Sequence, residues 1–431
     1  MHGWSWPAPW PRRRVSILVV LAGCAGAPRG PDAAAPTSDG SQAEAASDAA
    51  PPTRYDALAG LASGATCDSS YQCLSNVCLL GKCSDWSRGM RIVVDATATG
   101  ANIRETIANF PLLVRLRAGN FDFASARFDG GDLRFVDASS KDLGCEIESW
   151  DPEHAVADVW VLVPRIEALS AANTVTMYWG NPLAAQACSG PQVFGAFTCT
   201  MHMGADPDGV ASHLQDSSGQ GNTGLLQEAP TGPPQTEGIA GNALSLDGKG
   251  TYLSIGNTTS SPKAFSIALW LKTSSTPPAG IAGLAGKPAG PTPRFDRAIW
   301  MDELGRLSFG VAHGNTPGRI TSLTGYADGA WHHVVARFGT GGQYLFVDGE
   351  SIADDPTSTG SDSFSGFWRF GQDPTSVPSN QQPDAGAPLP SFAGSLDEIR
   401  IATSELNDAW IKLSYETQRP TTRVMRYLPL P

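Results

Sequence analysis

Short runs in which apolar and polar side chains alternate recur along this chain at near-regular spacing. Met90–Val94, Phe110–Leu116, Asp132–Asp137, Cys145–Trp150, Asp158–Val163 and Thr174–Trp179 are the first six, separated by polar turn residues. Successive side chains of a strand point to opposite faces, so alternation gives each strand one face for a core and one for its surroundings. Many short strands of this kind predict an antiparallel β-sandwich over residues 86–187. The same pattern returns at Phe265, Ile267, Leu269 and Leu271, which alternate with Ser266, Ala268, Trp270 and Lys272, and Asp348-Gly349 supplies a hairpin turn. With 47 glycines and 33 prolines to make turns, an all-β protein is the expected fold class. A length of 431 residues allows two or three such domains.

The N-terminal region has a different character. Arg12, Arg13 and Arg14 precede an apolar run from Val15 to Leu21, followed by small residues, which is the order of a secretory signal peptide over residues 1–23. Leu21-Ala22-Gly23-Cys24 resembles the lipobox of bacterial lipoproteins. That resemblance implies an acylated Cys24 and display outside the cytoplasm, in the envelope of a Gram-negative bacterium, at its outer membrane or cell surface. Residues 24–60 are mostly Ala, Pro, Ser, Asp and Gly, too poor in large apolar groups to offset their ordering entropy, and predict a disordered linker. No later segment approaches the roughly 18 apolar residues of a membrane span, so the lipid anchor is the expected contact with the membrane. A net charge of −12 with no later Lys/Arg cluster argues against nucleic acid as a partner.

Export also bears on the eight cysteines. Cys67, Cys73, Cys78 and Cys83 fall within residues 65–84, a stretch too short for a core of its own, and predict a small disulfide-rich module of open connectivity. The cluster has no Cys-x-x-Cys pair and no histidine, which disfavours zinc there. Cys188 and Cys199 are spaced to close a short loop, which leaves Cys145 as a buried, inert thiol.

Two further resemblances follow from ordered motifs. Asn109-Phe110-Pro111-Leu112-Leu113-Val114, Gly131-Asp132-Leu133-Arg134-Phe135, Glu146-Ile147-Glu148-Ser149-Trp150 and Tyr178-Trp179-Gly180-Asn181-Pro182 resemble a bacterial β-sandwich family of unknown function that often precedes a laminin-G-like jelly roll. Asp216-Ser217-Ser218-Gly219, Trp331-His332-His333-Val334 and Phe392-Ala393-Gly394-Ser395-Leu396-Asp397-Glu398-Ile399-Arg400 look like a concanavalin A-like jelly roll of the laminin-G type over residues 195–420. The second resemblance implies a structural calcium held by Asp397, carbonyls and Asp216, with a hydrogen-bonded turn as the alternative.

Candidate chemistry is sparse. Glu146 and Glu148, with Asp151 and Glu153 nearby, share a strand as the acids of a jelly-roll glycoside hydrolase do, but they lie in the first sandwich, and their pattern also suits a solvated strand face. Asp397 and Glu398 are adjacent and so expected on opposite faces, as are His332 and His333. The seven histidines show no His-x3-His spacing, and there is no Gly-x-Ser-x-Gly elbow. Strand tryptophans more often fill core volume, and Trp270, on the face opposite Ile267 and Leu269, is the best candidate among them for stacking a sugar. A last amphipathic helix is expected from a Ser404 cap through Leu406, Trp410 and Leu413, stopping by Pro420. The expectation is a lipid-anchored, non-catalytic envelope protein whose jelly roll recognises a glycan or protein. A polysaccharide-cleaving glycoside hydrolase and a structural component of an envelope assembly are the alternatives.

Overall fold

The computed structural model describes residues 62–68, 72–75, 77–79, 82–204, 213–228, 235–276, 279–289, 295–314, 318–372 and 391–430. The signal segment, Cys24 and the expected linker lie outside the described residues. The alternating runs become strands almost where expected: Arg88–Val94, Ile107–Arg117, Arg134–Val136, Cys145–Asp151, Val156–Ile166 and Asn173–Trp179. Alternation decides the core. Met90, Ile92 and Val94 are buried on one side of their strand, and Val175 and Met177 meet them from the next.

These strands form two antiparallel sheets. One has three strands, with Val156–Ile166 between Ile107–Arg117 and Cys145–Asp151; the other has four, and its outer strand is Met425–Pro429 from the far end of the chain. That last strand pairs with Arg88–Val94 from Met425 opposite Val94 to Pro429 opposite Met90. The first sandwich is therefore closed by residues beyond the jelly roll.

The jelly roll packs an eight-stranded antiparallel sheet against a seven-stranded one, with Cys199–Met201 added beside strand Ala393–Ala402. Phe265, Ile267, Leu269 and Leu271 point into its core, as their spacing predicts. Asp348 and Gly349 both take positive φ, 53° and 82°, which matches the twist of the hairpin they close. The closing helix is Asp408–Gln418, one turn later than expected. Its cap is Asn407, whose side chain accepts from the Trp410 N–H, whereas Ser404 supplies a carbonyl to the Ser266 hydroxyl. Leu413 and Trp410 face inward as predicted.

Four cysteines link as Cys67–Cys78 and Cys73–Cys83. The expected Cys188–Cys199 loop does not form. Cys188 pairs with Cys145, at a Cα separation of 4.5 Å, and Cys199 is a free, fully buried thiol. The cause is the helix Gly190–Phe194, which carries the chain from the first sandwich to the second. It leaves Cys188 beside strand Cys145–Asp151, while Cys199 enters the jelly-roll core opposite Ile401.

Both sandwiches belong to one compact unit, Ala59–Pro431. A single run of apolar contacts joins the first sandwich's core to Ala268, Val335, Phe346 and Ala402 on the outer face of the seven-stranded sheet, and to Ala409, Trp410, Ile411 and Leu413 of the helix. That sheet is covered on both faces.

Candidate functional site

The covered face explains why Trp270 is not a sugar platform. It is 1% exposed, donates from Nε1 to Gln418 Oε1 at 2.8 Å, and stacks on Tyr415 of the helix. The core-filling reading holds because the helix occupies the face that was expected to be open. His333 lies against it, and burial followed by the charge of Arg400 lowers its pKa to about 3.

The two expected calcium ligands are engaged separately. Asp216 accepts from the N–H groups of Thr200 and Ser218 on Oδ1 and of Asn222 on Oδ2, which ties down a turn. Asp397 accepts from Ile239 and Ala240 on Oδ2 and from Glu398 on Oδ1. Each carboxylate oxygen of the two already accepts from a backbone N–H, the hydrogen-bonded turn given as the alternative.

Chemistry concentrates instead at the seam between the sandwiches. Glu146 and Glu148 leave the outer face of the three-stranded sheet and enter a buried pocket, so the solvated face expected for them is covered by the jelly roll. Glu146 accepts from Ser217 Oγ at 2.7 Å. Glu148 accepts from Trp160 Nε1 at 2.6 Å, with its side chain 3% exposed. From the jelly roll come His202, just beyond strand Cys199–Met201, and Glu398 and Arg400 of strand Ala393–Ala402. His202 Nδ1 lies 2.7 Å from Glu398 Oε1 and 3.6 Å from Glu148 Oε2, and its Nε2 lies 3.4 Å from Glu146 Oε2. Arg400 donates to Glu398 Oε2 at 2.6 Å and lies over the Trp160 ring at 4.4 Å. Trp160 also stacks on His202.

Two β-bulges aim the carboxylates. Between Ile147 and Ser149 the strand advances two residues while its partner advances one, from Val159 to Asp158, so Glu148 is the extra residue. Between Asp397 and Arg400 the strand takes three steps against two from Trp270 to Ala268, and Glu398 there has φ of +50°. A left-handed glutamate within a strand costs roughly 1–3 kcal/mol, which the surrounding contacts must offset. The bulge also breaks the simple alternation expected of Asp397 and Glu398.

Burial sets the electrostatics. It pushes the Glu148 pKa well above the usual carboxylate value, and the charge of Glu398 adds to the shift. Asp397 is raised well above its usual value for the same two reasons. For Glu398 burial acts upward too, but His202 and Arg400 outweigh it and lower its pKa. Burial would lower His202, yet Glu398, Glu148 and Glu146 raise it well above the ordinary histidine value. Glu146 Oε2, Glu148 Oε1 and His202 Nε2 are buried without a hydrogen-bond partner. One donor atom each of Glu148, His202 and Glu398 lies within 4.8 Å of the others, close enough for a shared ion. His202 was not singled out from sequence, because neither spacing nor neighbours mark it.

Glu148 also borders the cleft between the sandwiches. This cleft, of about 850 Å³, is lined by Glu148, Arg115, Arg117, Asp158, Lys272 and Trp331 among others. Arg117 pairs with Asp158 at 2.8 Å, and Asp158 in turn accepts from the Gly241 N–H. The loop Gly238–Gly241 approaches both sheets closely because it lacks side chains at its ends. A Cβ at Gly238 would lie 2.5 Å from Asp397 Oδ2, and one at Gly241 2.7 Å from Glu148 Oε1. A pocket of about 970 Å³ near Phe121 and Trp179 is larger, but the buried carboxylates and His202 do not line it.

Sheet order, covered core and family comparison agree on the class: an all-β protein that joins a β-sandwich to a concanavalin A-like jelly roll. Residues 247–412 match the Laminin_G_3 family, the concanavalin A-like lectin/glucanases superfamily, and residues 129–201 match the domain of unknown function DUF2341. No curated protein matches the chain. Among solved structures, the receptor binding domain of botulinum neurotoxin D is similar at 16% identity over 52% of this chain and 53% of that one, TM-score 0.36. The binding domain of botulinum neurotoxin serotype D/C VPI 5993 matches at 14% identity over 52% and 53%, TM-score 0.39. Domain 4 of AbnA, a GH43 extracellular arabinanase from Geobacillus stearothermophilus, in complex with arabinotriose, matches at 16% identity over 50% and 96%, TM-score 0.36. The chain spans about half the length of the toxin domains it matches.

Proposed function

We propose that this protein is exported, anchored through an acylated Cys24, and binds a glycan without cleaving it. The cleft between the sandwiches carries this reading. Its wall combines a half-buried aromatic, Trp331, with charged side chains such as Lys272 and Arg117, the mixture of apolar face and directional polar groups that a sugar requires. The lectin/glucanase family match of residues 247–412 supports it. Hydrolysis is disfavoured because retaining chemistry needs two carboxyls about 5–5.5 Å apart that reach the same bond. Four carboxylates line the cleft, and three are engaged: Glu148 by the Trp160 Nε1–H, Asp151 by His154, and Asp158 by Arg117 and the Gly241 N–H, which leaves Glu237 without a second carboxylate free to act with it.

A glycan array probed with the full chain in detergent, with and without calcium, tests the binding. Retention on at least one glycan class is expected, and Trp331→Ala should weaken it by about ten-fold or more, the loss of one good aromatic contact. Absence of binding to any glycan under either condition would sink the proposal. The anchor is tested separately. Cys24→Ala should move the protein from the membrane fraction to the soluble one and abolish incorporation of labelled fatty acid. An unchanged distribution would rule acylation out, whatever the array shows.

A further inference from the structure

We propose that Glu148, His202 and Glu398 form a binding site for one divalent cation of the zinc class, which fastens the two sandwiches together. The site is independent of the glycan reading. One ligand comes from the first sandwich and two from the jelly roll, so the ion would bridge the seam.

Three observations carry it. The donor atoms lie within 4.8 Å of one another, a spacing a small cation can draw together. Charge is unbalanced: Glu146, Glu148, Asp397 and Glu398 face Arg400, His202 and, beside Glu148, Arg115, while Arg117 and Asp158 pair with each other, which leaves one negative charge if the imidazole is protonated and two if it is neutral. Burying such an excess is costly unless a cation compensates it. Protons could also compensate, but the hydrogen bonds do not suit them. A proton on Glu148 Oε1 has no acceptor, and His202 Nε2 has none nearer than Glu146 Oε2 at 3.4 Å. Of the three proposed ligands, Glu148 keeps one buried oxygen, Oε1, without a hydrogen-bond partner, an acceptor that a cation would satisfy.

The supporting side chains are arranged for ligation. Arg400 holds Glu398 Oε2 and Trp160 holds Glu148 Oε2; Glu148 keeps Oε1 without a partner, and Glu398 Oε1 faces His202 Nδ1 at 2.7 Å, a contact the ion would replace. With His202 bound through Nδ1, its Nε2–H would face Glu146, the usual way a second carboxylate orients a metal-bound imidazole. Two bulges, one with a left-handed glutamate, are strain spent on direction. An imidazole with carboxylates selects zinc or a similar cation over calcium, whose ligands are oxygens.

The full chain, stripped with a chelator and titrated with zinc, should retain one equivalent after desalting and gain thermal stability saturably. His202→Ala and Glu148→Gln should each weaken zinc binding by about a hundred-fold or more, and Glu146→Gln by about ten-fold. Three results overturn the site: no stoichiometric zinc on the wild-type chain, equal retention by His202→Ala, or loss in His332→Ala with retention in His202→Ala. If the seam variants do not fold, X-ray absorption on the wild-type chain decides. A shell of one imidazole with oxygens supports the site, and several imidazoles or a sulfur shell overturns it.

Discussion

At the scale of single residues, position relative to the seam outweighs side-chain type. Trp270 and Trp331 lie on adjacent strands of one sheet, yet the helix covers the first while the second lines a cleft. His332 and His333 are neighbours with opposite fates. Burial would lower the His332 pKa, but its hydrogen bond to Asp348 and the proximity of Asp328 raise it above the ordinary value of 6.5. The raised folded-state value sets the sign: the stabilisation is complete below the unfolded pKa of about 6.5 and is lost as pH rises through the folded one. The stability gap between wild type and His332→Gln, from denaturant midpoints, should therefore shrink between pH 6 and pH 9. A gap that does not change with pH would show that the pair contributes packing alone.

At the scale of elements, most strands were legible and the site was not. Alternation located Arg88–Val94, Cys145–Asp151 and Phe265–Lys272 to within two residues, because one face of each meets a core. The same rule misplaced Glu398, since a bulge inserts a residue without leaving a mark in polarity. Glu146-Ile147-Glu148 reads as a wet face until a second domain is laid on it. Cys145 reads as inert for a related reason: its partner 43 residues away lies near it only once the sheets have formed. Ser404 was an acceptable cap by composition, yet the helix begins at the next good one. Asn407→Ala should cost about 1 kcal/mol of unfolding free energy, the usual loss of a cap hydrogen bond, and Ser404→Ala much less, because only its backbone is used. Equal losses in the two variants would place the cap elsewhere.

At the scale of the whole molecule, the chain returns to its beginning. After the jelly roll and the helix Asp408–Gln418, the strand Met425–Pro429 crosses back to the first sandwich and covers the edge of Arg88–Val94. Tyr427 adds a bond, its hydroxyl accepting from the Arg115 N–H at 3.1 Å, in the opposite sheet. The first sandwich is thus completed late, by residues that follow the second. Deleting 425–431 should leave Met90, Ile92 and Val94 on an open edge, where unpaired strand groups exchange and associate. Amide hydrogen exchange should accelerate in Arg88–Val94 while Phe265–Lys272, paired on both sides within the jelly roll, stays protected. Equal acceleration in both strands would mean that the seam, with its shared apolar core and buried charges, makes the two sandwiches a single cooperative unit. No acceleration in either would mean that the returning strand contributes nothing to the fold it closes.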